Sequence, residues 1–354
     1  MAVIERLHAW CFRNLEAVDL ELSPGVNWIL GSNGAGKTAL LEAVFVLSRG
    51  RSFRTRRFGP LLMRGCRAGG VEGRVCDAGG SARVRWRVGT GVAAGGGEDF
   101  TPGRFLVRLL CDATHALVEG DPEVRRRFLD WNLFHVEPSF ARRMGELRRL
   151  SAQRNAWLRA GAVGPAVWDR PYVAALAWLL EARAALVDRL ARDFAALAQA
   201  AGWFEGLELR LEGAPADPGE LIERLAVMRD ADRERGFTYL SPSRSDLVFR
   251  RDGERWVGSR GQTKAVGSML QLAADAGVRE ITGVDSLWLV DDLDAELSRE
   301  WAERLLALVR ARGGQVLVTG LPGKGIEGRL LREADRMFHV EPGRATVAAS
   351  GLRR

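Results

Sequence analysis

The sequence contains almost no lysine. Of its 52 lysine and arginine residues only three are lysines, namely Lys37, Lys264 and Lys324. An ammonium group and a planar guanidinium make different contacts, so a position that keeps lysine against this bias indicates a need for the compact cation. Lys37 is therefore the first candidate functional residue, whereas Lys324, between two glycines, has no assigned role.

Cysteine, histidine and long apolar runs are also scarce. The four cysteines, Cys11, Cys66, Cys76 and Cys111, form no Cys-x-x-Cys pair, and the four histidines are scattered. We therefore expect buried free thiols in a reducing compartment, without disulfides or a zinc site. No apolar run reaches the roughly 20 residues that a membrane span needs, and the N-terminus lacks the apolar segment of a secretion signal. These absences predict a cytoplasmic protein.

Positive charge is in excess. The formal net charge is +7, and nearly all of the cations are arginines. Such an excess favours a polyanionic partner, with nucleic acid as the first candidate. A composition bias of the source genome explains the same excess, so charge alone leaves both explanations open and locates no surface.

Residues 31–38 match a phosphate-binding loop. They read Gly-Ser-Asn-Gly-Ala-Gly-Lys-Thr, between a short apolar strand over 26–30 and an apolar helix over 38–47. Strand, glycine loop and helix is the context in which this pattern binds a nucleoside triphosphate. The predicted nucleotide-binding residues of the loop are Gly31, Ser32, Asn33, Gly34, Ala35, Gly36, Lys37 and Thr38. Lys37 would reach the β and γ phosphates, and Thr38 would place its hydroxyl on Mg²⁺.

Two carboxylates follow an apolar run at residues 287–292, which read Leu-Trp-Leu-Val-Asp-Asp. This pattern predicts a buried strand with acids at its carboxyl end, where open α/β sheets bind ligands. We assign Asp291 to Mg²⁺ and Asp292 to the attacking water, as a base or an orienting group. The alternative is that these acids cap the next helix, and the presence of the 31–38 loop favours the metal site.

A Ser-x-Gly-Gln turn precedes an apolar helix that we expect to begin near residue 262. Ser259, Gly261 and Gln262 would aim a hydroxyl, backbone N–H groups and the positive end of the helix dipole outward. Taken alone, such a turn is more often a helix cap than an anion site. Its place before Asp291 resembles ATP-binding-cassette heads, in which the turn contacts the γ-phosphate held by a second subunit. Lys264, one turn further along, is a candidate to face that nucleotide.

The predicted fold is α/β, a P-loop head of the ATP-binding-cassette type with an inserted, mainly helical lobe. The head would comprise residues 1–110 and 237–354, and the lobe residues 111–236. Apolar and turn patterns predict strands over 3–30, 71–110, 286–290 and 315–319, a glycine-rich loop over 89–104, and helices over 121–201 and 299–312.

Further motifs resemble one family. They are Phe12-Arg13-Asn14-Leu15, Leu41-Glu42-Ala43, Gly50-Arg51-Ser52-Phe53-Arg54-Thr55, Arg125-Arg126-Arg127-Phe128-Leu129-Asp130 and Gln153-Arg154-Asn155-Ala156. With the loop, the turn and the acid pair, the chain resembles the bacterial recombination mediators of the RecF family nearly end to end. The runs 50–55 and 125–130 distinguish this family from other ATP-binding-cassette heads, because they are not general features of those heads.

The resemblance implies what such a protein does. It implies DNA binding at gaps or single/double-strand junctions, an ATP-dependent homodimer, slow DNA-stimulated ATP hydrolysis, RecR as a partner and RecO as a second candidate. It places Arg13 and Asn14 near the base and Arg54 near the phosphates. For Arg13, an ordinary surface position on a strand is an equally good interpretation.

Two segments depart from the family. Cys111-Asp112-Ala113-Thr114 replaces a Ser-Pro-Glu-Asp loop near the active site, and Ala295-Glu296-Leu297-Ser298 replaces Ser-Glu-Leu-Asp at the dimer interface. The family histidine is also missing from residues 241–247. Two interpretations stay open: a working RecF-type ATPase, and a protein that binds ATP and dimerises but hydrolyses poorly.

Three other functions are alternatives to a RecF-type protein. A chromosome-structure ATPase needs a long coiled coil, and sustained heptads are absent between Thr38 and Ser259. A transporter ATPase has no use for the Arg-Phe-Leu-Asp segment. A non-enzymatic scaffold that uses the loop only for assembly remains open.

Overall fold

The computed structural model describes residues 2–77, 79–89, 104–162, 166–213, 217–293, 297–323 and 330–347. Two compact units are present: the head unit, Met1–Thr114 with Gly283–Arg354, and the helical unit, His115–Thr282. The prediction grouped residues 237–282 with the head, whereas in the structure they pack with the helical unit. Most of the glycine-rich segment 89–104, as well as Lys324, lies outside the described residues.

The elements follow one another in chain order. The first are β1 (Val3–Phe12), β2 (Leu15–Glu21), β3 (Val26–Gly31), α1 (Lys37–Arg49), β4 (Ala68–Asp77), β5 (Gly80–Gly89) and β6 (Leu106–Leu110). The helical unit contains α2 (Ala116–Glu119), α3 (Pro122–Val136), α4 (Phe140–Arg159), α5 (Asp169–Ala201), β7 (Glu208–Gly213), α6 (Pro218–Arg235), β8 (Ser245–Arg251), β9 (Glu254–Arg255) and α7 (Arg260–Thr282). The last are β10 (Ser286–Val290), α8 (Arg299–Ala311), β11 (Val316–Gly320), β12 (Arg336–Glu341) and β13 (Arg344–Val347).

The head unit contains two sheets. The larger has the order β13-β12-β3-β11-β10-β6, and its strands run parallel except for β13. Its central strands are continuously buried, which explains their unbroken apolar sequences. The second sheet is antiparallel, in the order β2-β1-β4-β5. The predicted α/β class is confirmed, and β10 spans the predicted residues 286–290.

Helix α1 connects the two sheets of the head unit. Its apolar residues share one buried core with residues of both sheets, including Leu41, Val44, Ile29 and Trp86. On β5, Val84, Trp86 and Val88 are buried while the arginines between them stay accessible, as the alternating sequence predicts. Because β3 leads directly into the loop before α1, this core fixes where the loop lies.

The helical unit is built around α5, which packs against α4, α6 and α7. A small antiparallel sheet, β7-β8-β9, completes it. No helix among the described residues is long and apolar enough to cross a membrane.

Two of the family-like arginine motifs contribute buried ion pairs to this unit. The fully buried Arg154 donates to Asp169 at 2.9 Å and to Asp232 at 3.1 Å. Arg125 forms two hydrogen bonds to Asp246, at 2.8 and 2.7 Å. Removing one partner of such a pair costs about 3–5 kcal/mol because a buried charge is left unpaired. These two arginines therefore hold the fold and are not available to DNA phosphates.

The expectation of free thiols throughout is wrong for one pair. Cys11 and Cys66 form a disulfide, with their Cα atoms 6.2 Å apart. After helix α1 the chain returns to β1, where the Met63 N–H donates to the Cys11 carbonyl at 2.9 Å. A pairing across 55 residues has no sequence spacing to reveal it. Cys76 and Cys111 are reduced thiols and are half-buried.

Thiol counting tests this pairing. After unfolding without reductant, we expect two reactive thiols per chain, those of Cys76 and Cys111, and four after reduction. In the Cys66→Ala variant, the freed Cys11 raises the unreduced count by one. Four reactive thiols in the unreduced wild-type protein would show that Cys11 and Cys66 are not bonded.

Candidate nucleotide-binding site

The loop between β3 and α1 requires glycine at particular positions. A Cβ atom on Gly31 would lie 2.4 Å from the Val340 carbonyl oxygen, so no side chain fits there. Gly36 has φ +118°, a conformation that favours glycine. The chain can therefore turn sharply from a buried strand into a helix. The loop therefore leads directly into the N-terminus of α1, where the helix dipole favours an anion.

Lys37 is the first residue of α1 and is 5% exposed. Its ammonium donates to the carbonyls of Gly31 at 2.9 Å and Ser32 at 3.1 Å. The loop thus wraps around a compact cation, and a guanidinium on a longer side chain would not fit between the two carbonyls. This packing explains why position 37 keeps a lysine.

Asp291 and Asp292 follow β10 at the edge of the sheet where β3 and β11 also end. Asp291 Oδ1 accepts hydrogen bonds from Thr38 Oγ1 at 3.1 Å and from Thr319 Oγ1 at 2.8 Å. The Asp292 N–H donates to Thr319 Oγ1 at 2.7 Å. Helix α8 is capped by Ser298 instead. The capping alternative for the two acids therefore does not hold.

Thr319 is a site residue that the sequence did not reveal. It is the next-to-last residue of an ordinary apolar strand, β11, which lies between β3 and β10. Its hydroxyl donates to Asp291 and accepts from the backbone of Asp292. Only the strand order brings this hydroxyl beside the acid pair.

Burial raises the pKa of Asp291. The charge of Asp292 raises the pKa further, while the hydrogen bonds from Thr319 and Thr38 and the charge of Arg54 partly oppose the rise. A divalent cation binds the ionised carboxylate, so protons compete with it at a higher pH than for an ordinary aspartate. Cation binding here is expected to weaken as the pH falls.

The donor set fits Mg²⁺ bound together with a nucleotide. Thr38 and Asp291 supply a hydroxyl and a carboxylate oxygen 3.1 Å apart. Mg²⁺ prefers oxygen ligands, and in phosphate sites it takes only one or two from the protein, the remainder coming from phosphates and water. These two side chains are the residues that would hold it.

A cavity of about 1090 Å³ opens beside the loop. The predicted residues around it are Arg13, Asn14, Asn33, Gly34, Gly36, Lys37, Thr38, Arg54 and Asp292. The Asn14 amide donates to the Gly34 carbonyl at 2.9 Å, which ties the β1–β2 turn to the loop. The segment 59–64, which the sequence did not single out, forms another wall through Gly59, Pro60, Leu62, Met63 and Arg64.

The Ser259 turn belongs to the helical unit. Helix α7 begins at Arg260, two residues earlier than predicted. The Gln262 N–H donates to Ser259 Oγ at 3.4 Å, and the Ser259 N–H donates to Gln262 Oε1 at 2.9 Å, a reciprocal capping box. Ser259 and Gln262 are exposed and Gly261 is half-exposed. Lys264 is 4% exposed, so its burial does not support the idea that it faces a second subunit.

The segments that differ from the family lie only partly within the described residues. Asp112 is exposed in a short 3-10 turn after β6, whose end pairs with that of β10. Ala295 and Glu296 lie outside the described residues. In the segment 241–247, Asp246 is the partner of Arg125.

A parallel sheet that carries this loop and acid pair, with a capped Ser-x-Gly-Gln helix in the same chain, defines the head class of P-loop ATPases. Residues 7–67 match the family described as AAA domain. A solved structure described as the recombination mediator protein RecF-ATP in the RecFOR pathway is 20% identical, with TM-score 0.79 over 98% of each chain. An Smc head domain derived from Pyrococcus furiosus has TM-score 0.56 at 16% identity, over 98% of this chain and 96% of that one.

Sequence similarity identifies the family within this class. The DNA replication and repair protein RecF of Thioalkalivibrio sulfidiphilus is 36% identical over 362 residues, which cover 98% of this chain and 99% of the relative. The chain belongs to the RecF family, as its motifs predicted.

Proposed function

We propose that this protein binds ATP in the cavity beside residues 31–38 and that ATP joins two copies into a DNA-binding dimer. The observation that supports this most strongly is the convergence of Lys37, Thr38 and the Asp291–Asp292 pair at one sheet edge. The family supports the same assignment, since the similar solved structure is described as RecF with ATP.

The residues of the chain divide the chemistry among them. The loop N–H groups and the Lys37 ammonium would neutralise the phosphates, and Asp292 would orient the attacking water or accept its proton. Mg²⁺, held by Thr38 and Asp291, would supply further charge neutralisation when bound. We propose weak, DNA-stimulated hydrolysis that reopens the dimer. The changed residues 111–114 support the second candidate, an ATP-binding DNA scaffold with little hydrolysis.

The second subunit would complete the site. Ser259 is exposed at the start of the 23-residue helix α7, so its hydroxyl can meet a phosphate held by another copy. In this proposal each ATP lies between the loop of one chain and the Ser259 turn of the other. Gly261 and Gln262 would support that turn.

The DNA contact would be independent of sequence. The net charge of +7 favours binding to phosphates, and exposed arginines would supply the contacts since Arg125 and Arg154 are buried. Family membership supports gapped or junction DNA as the target, RecR as a partner and RecO as a second one. A protein that acts on the bacterial chromosome would work in the cytoplasm.

Sedimentation velocity tests the dimer. With Mg-ATP and gapped DNA we expect the wild-type protein to shift from monomer to dimer. Ser259→Arg should remain monomeric while binding ATP within about threefold of the wild-type affinity, because the change lies outside the cis site. Ser243→Arg, on an exposed turn of the same unit, is the matched control and should dimerise.

Two results would count against the proposal. A wild-type protein that stays monomeric with ATP and also ignores DNA contradicts the function as a whole. Normal dimerisation of Ser259→Arg contradicts only the role of the turn.

A further inference from the structure

Glu42 is a buried carboxylate beside the nucleotide site. It lies on α1 four residues after Thr38, hence on the same face of the helix. Its side chain is 0% exposed. A fully buried carboxylate is stable only when it is paired and hydrogen-bonded. The partners of Glu42 therefore show what it holds in place.

The first partner is Arg13. Its Nε and Nη2 donate to the two carboxylate oxygens of Glu42 at 2.7 and 2.6 Å, the bidentate arrangement of a strong ion pair. Its remaining nitrogen, Nη1, donates to the Pro60 carbonyl at 3.0 Å. All three guanidinium nitrogens are thereby engaged. Arg13 lines the cavity, but its charge is already paired with Glu42 and three of its five N–H donors are engaged.

The second partner is Ser52. Its hydroxyl donates to Glu42 Oε1 and accepts the backbone N–H groups of Arg54 at 2.9 Å and Thr55 at 3.0 Å. An ionised carboxylate can only accept, so its charge fixes the direction of the Ser52 hydroxyl proton. The lone pairs of the hydroxyl are then left for the two N–H groups. Glu42 thus determines the conformation of the turn that carries Arg54.

Arg54 is differently placed from Arg13. Its side chain is 50% exposed, it lines the cavity, and its Nη1 lies 3.8 Å from Glu42 Oε2, beyond hydrogen-bonding distance. Of the two arginines at this wall, Arg54 is the one whose guanidinium can turn to an anion without breaking a bidentate pair.

We propose that Glu42 is a positioning residue of the nucleotide site: through Ser52 it directs Arg54 toward the nucleotide phosphates, and by pairing with Arg13 it keeps that second guanidinium away from them. The inference rests on the proposed binding of ATP. It assigns phosphate recognition to one arginine and a structural task to the other.

The test removes the hydrogen bond between Ser52 and Glu42 and leaves the buried Glu42–Arg13 ion pair intact. In Ser52→Ala the Glu42–Arg13 pair remains, so the variant should fold, while the turn loses its connection to Glu42. We expect the Kd for Mg-ATP, measured by isothermal titration calorimetry, to rise about tenfold. Thr55→Ala is the matched control, since it removes a hydroxyl from the same turn that bonds only to the backbone of Arg57. Its Kd should equal that of the wild type.

A double-mutant cycle separates positioning from general loosening. If Ser52 acts through Arg54, Ser52→Ala should change the Kd little in an Arg54→Ala background. Glu42→Gln should weaken binding at least as much as Ser52→Ala and should also lower the Tm, because Arg13 loses its counter-charge. Wild-type binding by Ser52→Ala, or fully additive effects with Arg54→Ala, would overturn the inference. A wild-type protein that binds no ATP would refute the proposed function instead.

Discussion

A Lys37→Ala variant is expected to bind Mg-ATP at least about 30-fold more weakly than the wild type, because truncating one member of a buried charge pair costs about 2–5 kcal/mol. Lys37 is 5% exposed, and its ammonium is held within the loop by two carbonyls. No neighbouring side chain of the loop carries a positive charge to replace it. Titration calorimetry with Mg-ATP measures the effect directly.

Lys37→Arg separates charge from shape. The variant keeps the positive charge, but the guanidinium is planar and its side chain is longer than that of lysine. We expect a loss close to that of Lys37→Ala. Lys324→Ala, the matched lysine substitution at a position without an assigned role, should bind normally. Wild-type affinity in Lys37→Arg would show that the scarcity of lysine elsewhere in the chain says nothing about function at this position.

An Asp292→Asn variant is expected to hydrolyse ATP about 100-fold more slowly, at the lower end of the usual contribution of a general base. ATP binding should persist, since Lys37, Thr38 and Asp291 are unchanged, and the ATP-dependent dimer should live longer. Phosphate release in single-turnover experiments with gapped DNA measures the rate. A negligible wild-type rate that the substitution leaves unchanged would favour the scaffold.

Asp291→Asn is the comparison for Asp292→Asn. Asp291 is tied to Thr38 and is the proposed metal ligand. Its loss should therefore raise the Mg²⁺ concentration needed for ATP binding, an effect that Asp292→Asn should lack. Equal Mg²⁺ requirements in the two variants would contradict the division of roles between the two carboxylates.

Local sequence was sufficient to predict the motifs of this site. The apolar run of β3, the glycine loop and α1 are adjacent in the chain, so their order alone predicts how a phosphate would be held. The same holds for β10 and the two acids that follow it. Secondary structure and loop conformation depend on neighbours a few residues away, and these are visible in the sequence.

The partners of these motifs were not predictable in this way. In the sequence, Glu42 stands out only as part of a family-like run. Its role depends on Arg13, 29 residues before it, and on Ser52, 10 residues after it. Thr319 reaches Asp291 because β11 lies next to β10 in the sheet. Side chains that meet by strand order or chain return leave no periodic signal in the sequence.

The sequence by itself determined the α/β class, the phosphate loop with Lys37, the acid pair and the family. The tertiary structure decided which of the remaining charges face the site and which stabilise the fold. In the folded chain Arg13 pairs with Glu42, Arg54 stays accessible, and Arg154 is buried in the helical unit. The physical reason is that an arginine's role depends on whether a carboxylate lies within hydrogen-bonding distance, and that distance is set by packing between segments far apart in the chain.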